Sequence, residues 1–338
     1  MNNLAEVRIQ LRSKLGLLIF SAAIAACTAD VDQVVVISPD RVITHSELAN
    51  IDSITLDDQG RVYVSDMYSI KVFSDAGTLL HVIGEKGAEE GQFADEVLGL
   101  AINSHNQLLA VDKGNHRVQL FDLEGSFIRS FGSPGAGAGE FQNPQGITVD
   151  QYDLAFVTDR QRNDIQVFSP LGEYLYSIGA SPKQRASLKE PESMVIRNER
   201  LHVADEGNGR VQVYAMRGDY LESIPRSGTL VRSKFASDLD DVLPPTDEDI
   251  LYNRSFEGDI EGIVFDNEGI LYLLDEDAGR IVLVQGERQH GAFISELAIA
   301  SGDGMAVDKA YEYLYVVDQG NSRIQIFGLK NIREQLIR

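Results

Sequence analysis

Residues 147–159 read ITVDQYDLAFVTD, two short apolar runs that flank a polar turn and end at an aspartate. Apolar and polar side chains that alternate over so few residues indicate β-strands rather than helices. The same pattern recurs as ITLDDQGRVYVSD (54–66), LAINSHNQLLAVD (100–112), MVIRNERLHVAD (194–205), IVFDNEGILYLLD (263–275) and MAVDKAYEYLYVVD (305–318). An internal repeat of this kind decides the architecture before any single residue does.

The spacing of the copies predicts a propeller. Their closing aspartates are separated by 46, 47, 46, 70 and 43 residues, and propeller blades have periods of about 40–50 residues. After the third copy, Ile165–Phe168 and Tyr174–Ile178 predict a third and a fourth strand. Four antiparallel strands form one blade, which buries both faces only by stacking on its neighbours. We predict an all-β fold, a six-bladed β-propeller with four antiparallel strands per blade over residues 51–328.

The one long spacing places an insertion at residues 226–258, which is rich in Asp and Glu around two prolines. The segment leaves one blade and re-enters just before Glu261. A lid or partner-recognition loop and a disordered acidic excursion are both compatible with this composition.

The two ends of the repeat array complement each other. The last copy stops at Phe327-Gly328 without an outer strand, and VDQVVVIS at 31–38 precedes the first copy without a partner. We predict that this strand, within the N-terminal segment 27–50, completes the last blade and closes the ring, which removes exposed edges. The C-terminal tail, 329–338, is expected to be helical from Asn331 onward and either to pack on the propeller or to lie outside it.

Residues 1–26 have the features of a secretory signal peptide. A basic start precedes an apolar run at 15–26 that is too short for a stop-transfer helix. Ile24-Ala25-Ala26-Cys27 resembles the lipobox of bacterial lipoproteins, in which the cysteine becomes the lipidated first residue. This resemblance implies a protein anchored by lipid in the cell envelope of a Gram-negative bacterium, at the outer membrane or on the periplasmic side, and touching the membrane only through the anchor. Ordinary cleaved secretion is the alternative.

The cysteine content excludes an internal disulfide, and the net charge limits the kinds of binding partner. Cys27 is the only cysteine, so no intramolecular disulfide can form. The net charge of −22 becomes −24 once the leader, with its net +2, is removed. Such a field repels nucleic acids and anionic lipid surfaces. We expect no nucleic-acid partner, a protein or small-molecule ligand as the binding partner, and a monomer.

Three segments, SFGSPGAGAGEFQNPQGITVD (130–150), DEGNGRVQVY (205–214) and DQGNSRIQIF (318–327), resemble the NHL repeat. The resemblance extends over residues 50–328 and implies a six-bladed propeller, while the fold alone says little about activity. Several NHL-repeat proteins bind RNA through a basic face, and this acidic chain lacks the charge for that.

An aspartate and an arginine recur five residues apart in four copies, which predicts that each pair fixes the turn between the second and third strands. The pairs are Asp112/Arg117, Asp205/Arg210, Asp275/Arg280 and Asp318/Arg323. The first and third copies depart from this rule: Asp66 is followed by a shortened turn, and Asp164 stands where the third arginine would be.

The residues two positions before each copy, here called the entry positions, predict the functional site. They are Asp52, Leu98, Gln145, Glu192, Glu261 and Asp303. In a propeller these positions converge on the mouth of the central channel, and four of the six are carboxylates. Like charges brought together raise each other's pKa unless a cation compensates them. Oxygen ligands suit Ca²⁺, so we predict Asp52, Glu192, Glu261 and Asp303 as ligands of a divalent cation.

The six histidines fall at unrelated blade positions, which argues against the three-histidine zinc site of amidating lyases with this fold; they are His45, His81, His105, His116, His202 and His290.

A second resemblance concerns the same mouth. The segment DIEGI at 259–263 resembles the acidic channel-mouth segment of β-propeller phytases, and SGDGMAVD at 301–308 resembles the Asp-Gly motif of those phytases and of gluconolactonase-type lactonases. It implies that Glu261 and Asp303 are calcium ligands and that Glu192 and Asp52 match further acidic positions. Two classes stay open: a propeller that binds a ligand or protein, with a cation at its mouth, and a calcium-dependent hydrolase of a phosphate ester or lactone with Asp52 or Glu192 as base.

Overall fold

The computed structural model describes residues 34–179, 187–224, 259–285, 288–295 and 297–336. Each of the six sequence copies forms its own antiparallel sheet, and the sheets follow one another in chain order. They are called blades 1 to 6. The predicted six-bladed, all-β architecture is confirmed. The leader with Cys27, the insertion at 226–258 and the final two residues lie outside the described residues.

The strand bounds are as follows. Two N-terminal strands, β1 (Val34–Ile37) and β2 (Arg41–Thr44), precede blade 1. Blade 1 consists of β3 (Ile54–Leu56), β4 (Val62–Ser65), β5 (Ile70–Phe73) and β6 (Leu79–Ile83), and a short pair, β7 (Glu85–Lys86) and β8 (Gln92–Phe93), leads to blade 2. Blade 2 consists of β9 (Val97–Ile102), β10 (Gln107–Asp112), β11 (Arg117–Asp122) and β12 (Phe127–Phe131), followed by the pair β13 (Ser133–Pro134) and β14 (Glu140–Phe141).

Blade 3 consists of β15 (Pro144–Val149), β16 (Ala155–Asp159), β17 (Asp164–Phe168) and β18 (Tyr174–Ile178), and blade 4 of β19 (Pro191–Arg197), β20 (Arg200–Asp205), β21 (Arg210–Ala215) and β22 (Tyr220–Ile224). Blade 5 contains β23 (Ile260–Phe265), β24 (Ile270–Asp275), β25 (Arg280–Gln285) and β26 (Arg288–Ser295). Blade 6 contains β27 (Met305–Val307), β28 (Tyr313–Asp318) and β29 (Arg323–Gly328), and one helix follows, α1 (Leu329–Leu336).

The hydrophobic core lies between the blades. The second strand of each blade is almost fully buried on both faces, as β4 and β24 show, because each face of a blade packs against a neighbour. Apolar clusters join consecutive blades, and one of them joins the last blade to the first, with Val317 and Ile324 packed against Val62 and Val64. The ring is therefore closed by side-chain packing as well as by strand pairing.

The N-terminal segment closes the ring, as predicted, but the strand assigned to this role was wrong. The strand β1, which lies within the predicted 31–38 segment, pairs in parallel with β26 and becomes a fifth strand of blade 5. Its successor β2 pairs antiparallel with β29 and supplies the fourth strand of blade 6. The chain bends between them at Asp40, and Asp40 N donates to Ile326 O (2.8 Å), which sets the register of β2.

The C-terminal tail is helical, as predicted, and it packs on the propeller. Leu329, Ile332 and Leu336 are buried in the apolar cluster between blades 5 and 6. Arg333 Nη1 on the same helix donates to Asp266 Oδ2 at 3.1 Å. No helix in the described part of the chain is long and apolar enough to cross a membrane.

The repeated aspartates fix the turns, as predicted. In blade 4, the fully buried Asp205 accepts from Arg210 Nε (2.8 Å), Asn208 Nδ2 (2.9 Å), Gln212 Nε2 (2.9 Å) and the backbone N–H of Lys189 (2.7 Å). The other three predicted pairs make the same aspartate–arginine contact. These networks hold the turn of a blade against the loop that enters it.

Blades 1 and 3, which lack the aspartate–arginine pair at this spacing, stabilise the same turn with other contacts. In blade 1 the turn is shorter, and the buried Lys71 reaches back to Asp66 Oδ2 at 3.1 Å. In blade 3 the pair is reversed in sequence, with Arg162 Nη2 donating to Asp164 Oδ2 at 2.9 Å. Asp159 then accepts from backbone N–H groups, among them that of Gln142 at 2.7 Å.

Candidate binding site at the channel mouth

The inner strands surround a central cavity of about 550 Å³. All six entry positions line it: Asp52, Leu98, Gln145, Glu192, Glu261 and Asp303. Each of these residues lies at or just before the start of an inner strand, so the six meet at one end of the cavity. The structure thus brings the four predicted carboxylates to a single mouth.

Close backbone contact between neighbouring blades holds this ring together. A glycine or a serine follows every entry position: Ser53, Gly99, Gly146, Ser193, Gly262 and Gly304. A Cβ atom on Gly146 would lie 2.4 Å from the carbonyl oxygen of Glu192, and one on Gly304 would lie 2.7 Å from that of Asp52. Such contacts leave no room for a larger residue, so the spacing of the ring is set by backbone rather than by mobile side chains.

Burial and mutual repulsion raise the pKa of two carboxylates on the side of blades 6 and 1. Burial, and then the charge of Glu96, raises the pKa of Asp52 to about 7, while Lys113 opposes the rise. Burial, followed by the charges of Asp52 and Glu261, raises the pKa of Asp303 to about 8. These two groups are therefore poised to bind or release protons near neutral pH.

The same effect acts on the side of blades 4 and 5. Burial, with the charges of Glu206 and Glu276, raises the pKa of Glu261 to about 8. Burial and the charge of Glu261 raise the pKa of Glu192 well above its usual range, and Arg160 opposes the rise. The mouth cannot carry all of its carboxylates in the charged form at neutral pH without an additional cation.

Arg160 is the main positive group at the mouth, and the entry positions alone did not predict it. Its guanidinium contacts Glu192 Oε1, lies 2.8 Å from Glu206 Oε1 and lies 3.3 Å from Glu190 Oε2. Lys113 contributes a second cation, which pairs with Glu96. Both Glu192 and Glu206 are more than nine-tenths buried, so Arg160 compensates charges that water reaches poorly.

A second set of aligned positions could have revealed these residues. The residue directly after each closing aspartate is Met67, Lys113, Arg160, Glu206, Glu276 or Gln319. The turn after the second strand reaches the loop that enters the blade, as the hydrogen bonds Lys113 N to Glu96 O (3.3 Å) and Glu276 N to Asp259 O (3.0 Å) show. These turn positions therefore surround the entry positions, and they carry charges of both signs.

Two carboxylate oxygens at the mouth lack partners. Asp303 Oδ2 and Glu206 Oε2 are buried, and neither accepts a hydrogen bond from any described residue. Glu206 lies beside Glu192 and contributes to the raised pKa of Glu261. Buried acceptors without donors are costly, and of these two residues only Asp303 lines the cavity.

The predicted calcium site has no close set of ligands among the described residues. Among the described residues, no group of three or more His, Cys, Asp or Glu side chains is arranged to hold a metal ion. Asp52, Glu192, Glu261 and Asp303 share the cavity without forming such a close ligand set. Calcium binding by these four residues stays a prediction.

Below the mouth the character of the cavity changes. Its wall there includes apolar residues of the inner strands, among them Ile102, Val149, Val195, Val264 and Val307. Lys309 and Tyr311 line the cavity beyond the end of β27. The channel is thus acidic where the inner strands begin, and along them it combines aliphatic side chains with polar groups, among them Thr55 and Thr148.

Comparisons with known proteins agree with this architecture. No family model matches the chain. Protein brain tumor of Drosophila melanogaster is 30% identical over 141 residues, which are 41% of this chain and 13% of that protein. B-box type zinc finger protein ncl-1 of Caenorhabditis elegans is 33% identical over 142 residues, 41% of this chain and 16% of that protein. The matches thus span less than a fifth of either relative.

Solved structures share the fold over most of the chain. A streptogramin B lyase structure has a TM-score of 0.57 and 15% identity and covers 86% of both chains. A catalytically inactive virginiamycin B lyase from Staphylococcus aureus with quinupristin also has a TM-score of 0.57 at 15% identity and covers 86% of this chain and 85% of its own. At this identity the likeness shows the fold alone. With its six blades, repeats and relatives, the chain is an NHL-type six-bladed β-propeller.

Proposed function

We propose that this protein is a binding protein whose channel mouth recognises a positively charged ligand. One observation carries the proposal: all six blades direct a residue to the mouth, and the carboxylates among them exceed the cations that face them. A closed propeller offers one central site that every blade lines, so the charge of this ring is a property of the site as a whole.

The physical basis is the unfavourable energy of the free site. At neutral pH the mouth either holds carboxylates in repulsion or binds protons, as the raised pKa values of Asp52, Glu261 and Asp303 indicate. A ligand cation favours the charged form of each carboxylate and displaces those protons. Binding of a cation is therefore expected to release protons near pH 7.5 and to weaken as the pH falls.

Ca²⁺ is one cation that this chemistry accepts, because carboxylates are its preferred ligands. A small organic cation or a cationic group on a protein partner meets the same requirement. The ligand is proposed to be a protein or a small molecule rather than a nucleic acid, because the net charge of −22 repels polyanions.

The proposed location is the cell envelope of a Gram-negative bacterium, with a lipid anchor on Cys27. The proposal is supported by the sequence Ile24-Ala25-Ala26-Cys27 at the end of an apolar leader. Metabolic labelling with radioactive palmitate tests it. Wild-type protein is expected to incorporate label and a Cys27→Ser variant to lose it, and an unlabelled wild-type protein would contradict the anchor.

A calcium-dependent hydrolase of a phosphate ester or lactone is the second candidate function. It is favoured by the pKa of Asp52, about 7, because a general base works best when its pKa is near the operating pH. A bound cation would supply polarisation of the ester or phosphoryl oxygen. Asp52 or Glu192 would then hold the proton taken from the attacking water.

The test is a calorimetric titration of the intact protein at pH 7.5 with CaCl₂ and, separately, with ethylammonium chloride. At least one cation is expected to bind wild type, and a Glu261→Gln/Asp303→Asn double variant is expected to bind it at least tenfold more weakly. Glu199→Gln, which changes an exposed turn at the opposite end of blade 4, serves as the control. If neither cation binds wild type at millimolar concentration, the proposed function is wrong.

The same samples separate the two classes. Assays with a nitrophenyl phosphate, phytate and a γ-lactone, each with and without Ca²⁺, are expected to show no turnover above that of the double variant. Turnover that depends on Ca²⁺ and is lost in the double variant would favour the hydrolase.

A further inference from the structure

The described chain enters the propeller at its rim. The strand β1 is the outermost strand of blade 5, because the order of its sheet from rim to channel is β1-β26-β25-β24-β23. Val34 pairs with Ala292, near the middle of β26. The described residues therefore begin at the outer edge of one blade, between the two ends of the channel.

The proposed lipid anchor lies close to this edge in the sequence. Cys27 precedes Val34 by seven residues, and a chain of that length spans at most about 25 Å when fully extended. A compact chain of this size measures about 50 Å across. A lipidated Cys27 therefore keeps the rim of blade 5 nearer to the bilayer than the opposite rim.

The charge of this rim differs from that of the rest of the protein. Helix α1 packs against β1 and β26, and residues 329–338 carry three basic side chains and one acidic one, a net +2 in a chain of net −22. The Lys330 side chain on this helix is 85% exposed. An anionic lipid surface attracts such a segment, whereas it repels most of the remaining surface.

The opposite rim lacks this positive charge. In a ring of six blades, blade 2 lies opposite blade 5, and its outer hairpin at 122–131 carries two acidic side chains and one basic one, a net −1. The two rims thus differ in sign, and the electrostatic preference has the same direction as the constraint imposed by the anchor.

The open edge of blade 5 is also suited to a position beside a bilayer. Ile37 is buried against α1, while Val36 is 64% exposed. Among the described residues, β1 has no strand partner on its outer side. An open edge can pair with strands of other chains, and a nearby membrane surface shields both this edge and the apolar Val36 side chain.

We propose that the rim of blade 5, formed by β1, β26 and α1, faces the membrane surface, so that the channel axis runs along the bilayer rather than into it. This inference rests on the proposed lipid anchor on Cys27 and adds the surface that faces the membrane. Both ends of the channel then stay open to ligands, and the acidic mouth is held away from anionic lipid.

The test is energy transfer from single dye-labelled sites to the bilayer. The full-length lipoprotein is inserted from detergent into preformed vesicles of phosphatidylethanolamine and phosphatidylglycerol that contain a trace of acceptor-labelled lipid. Cys27 is the only cysteine and carries the lipid, so each cysteine variant has one free thiol for the donor dye.

Four exposed positions report the orientation. Lys330→Cys lies at the rim of blade 5 and Ile128→Cys at the opposite rim, in β12. Glu90→Cys lies in the loop that enters blade 2 at the mouth end, and Tyr152→Cys lies in the turn between β15 and β16 at the other end. Transfer is expected to be at least twofold more efficient from Lys330→Cys than from each of the other three sites.

Two results would overturn the inference. The highest transfer from Glu90→Cys or Tyr152→Cys would mean that one end of the propeller faces the bilayer. Equal transfer from all four sites would mean that the anchored protein has no preferred orientation.

A charge reversal tests the electrostatic contribution. Lys330→Glu is combined with a donor at Val36→Cys or at Ile128→Cys, and it is expected to lower the ratio of transfer from these two sites in vesicles with phosphatidylglycerol but not in pure phosphatidylcholine. Lys86→Glu, an exposed lysine at the mouth end, is the control and should leave the ratio unchanged. An unchanged ratio with Lys330→Glu would overturn the electrostatic part and leave the anchor as the orienting constraint.

The palmitate labelling described above decides the anchor separately. An unlabelled wild-type protein would remove the anchor and this inference with it. A labelled protein without the expected orientation would contradict the inference alone, and neither result bears on cation binding at the mouth.

Discussion

Arg160 Nη2 lies 2.8 Å from Glu206 Oε1, so that a cation from blade 3 contacts a buried carboxylate of blade 4. The same guanidinium also contacts Glu192, whose side chain is nearly buried. Both glutamates have pKa values raised by burial. Arg160 thus compensates the negative charges of Glu192 and Glu206, which lie close together where blades 3 and 4 meet.

Removal of this cation is expected to destabilise the protein. Arg160→Met should lower the free energy of unfolding by about 3 kcal/mol at pH 7.5, because it leaves two carboxylates buried without a partner. Arg200→Met is the matched control, since Arg200 forms an exposed pair with Glu222 and its loss should cost less than about 1 kcal/mol. Urea unfolding followed by circular dichroism measures both. The Arg160 deficit should shrink as the pH is lowered, because the raised pKa values of the two glutamates favour their neutral forms, and a deficit that does not change with pH would contradict this explanation.

The contact between neighbouring blades at the mouth predicts intolerance of even a methyl group. Gly146→Ala should lower the free energy of unfolding by about 1–3 kcal/mol, because its Cβ would lie 2.4 Å from the carbonyl oxygen of Glu192. Gly137→Ala is the control, since the nearest atom there is the movable carboxylate end of Glu140. Urea titrations of the two variants side by side provide the comparison, and equal stability would mean that the blades are not packed so tightly.

The buried turn aspartates are expected to contribute more to stability than any exposed carboxylate. Asp205→Ala removes the acceptor for Arg210, Asn208 and Gln212 and should cost about 3–5 kcal/mol, because these donors lose their partner inside the protein. Asp219→Ala, in an exposed turn of the same blade, should change stability by less than about 0.5 kcal/mol. Thermal melts monitored by circular dichroism can rank the two, and a similar loss in both would refute a structural role specific to Asp205.

The raised carboxyl pKa values predict a fall in stability with rising pH. In the folded state Asp52 has a pKa of about 7, and Glu261 and Asp303 have pKa values of about 8, so they retain protons that the unfolded chain has lost by about pH 5. Folding then binds protons, and the free energy of unfolding decreases as the pH rises through 7 and 8.

The useful window for this measurement is pH 6.5 to 8.5. Burial lowers the pKa of His202 to about 4, which acts in the opposite direction, but only below the pKa of about 6.5 of an unfolded histidine. Urea unfolding of wild type should show a falling profile in that window, and the Glu261→Gln/Asp303→Asn variant a flatter one. Parallel profiles would show that these two groups do not titrate there.

Much of the fold could be predicted from the sequence repeat. The strands of blades 1 to 4 and the convergence of the entry positions were predictable, because a fixed period assigns each residue to the same place in every blade. The sequence did not predict that β2 rather than β1 completes blade 6. Val34–Ile37 is the more apolar run, and only the register set by Asp40 and Ile326 shows that the strand after it completes blade 6.

The positive groups at the mouth were missed for a related reason. Alignment of the entry positions alone compares one residue per blade, whereas Arg160 and Lys113 reach the mouth from the turn positions. The reversed pair of Arg162 and Asp164 in blade 3 was visible in the sequence. The contact of Arg160 with Glu192 depends on the packing between two blades.

The central proposal is that the carboxylates at the channel mouth bind a cation. The most direct measurement is a carbon-13 NMR titration of the Asp and Glu carboxyl carbons, in free protein and with saturating ethylammonium or Ca²⁺. The account predicts that Asp303 and Glu261 titrate near pH 8 in the free protein and at least one pH unit lower when the cation is bound. Midpoints near pH 4 in the free protein, unchanged by the ligand, would contradict it.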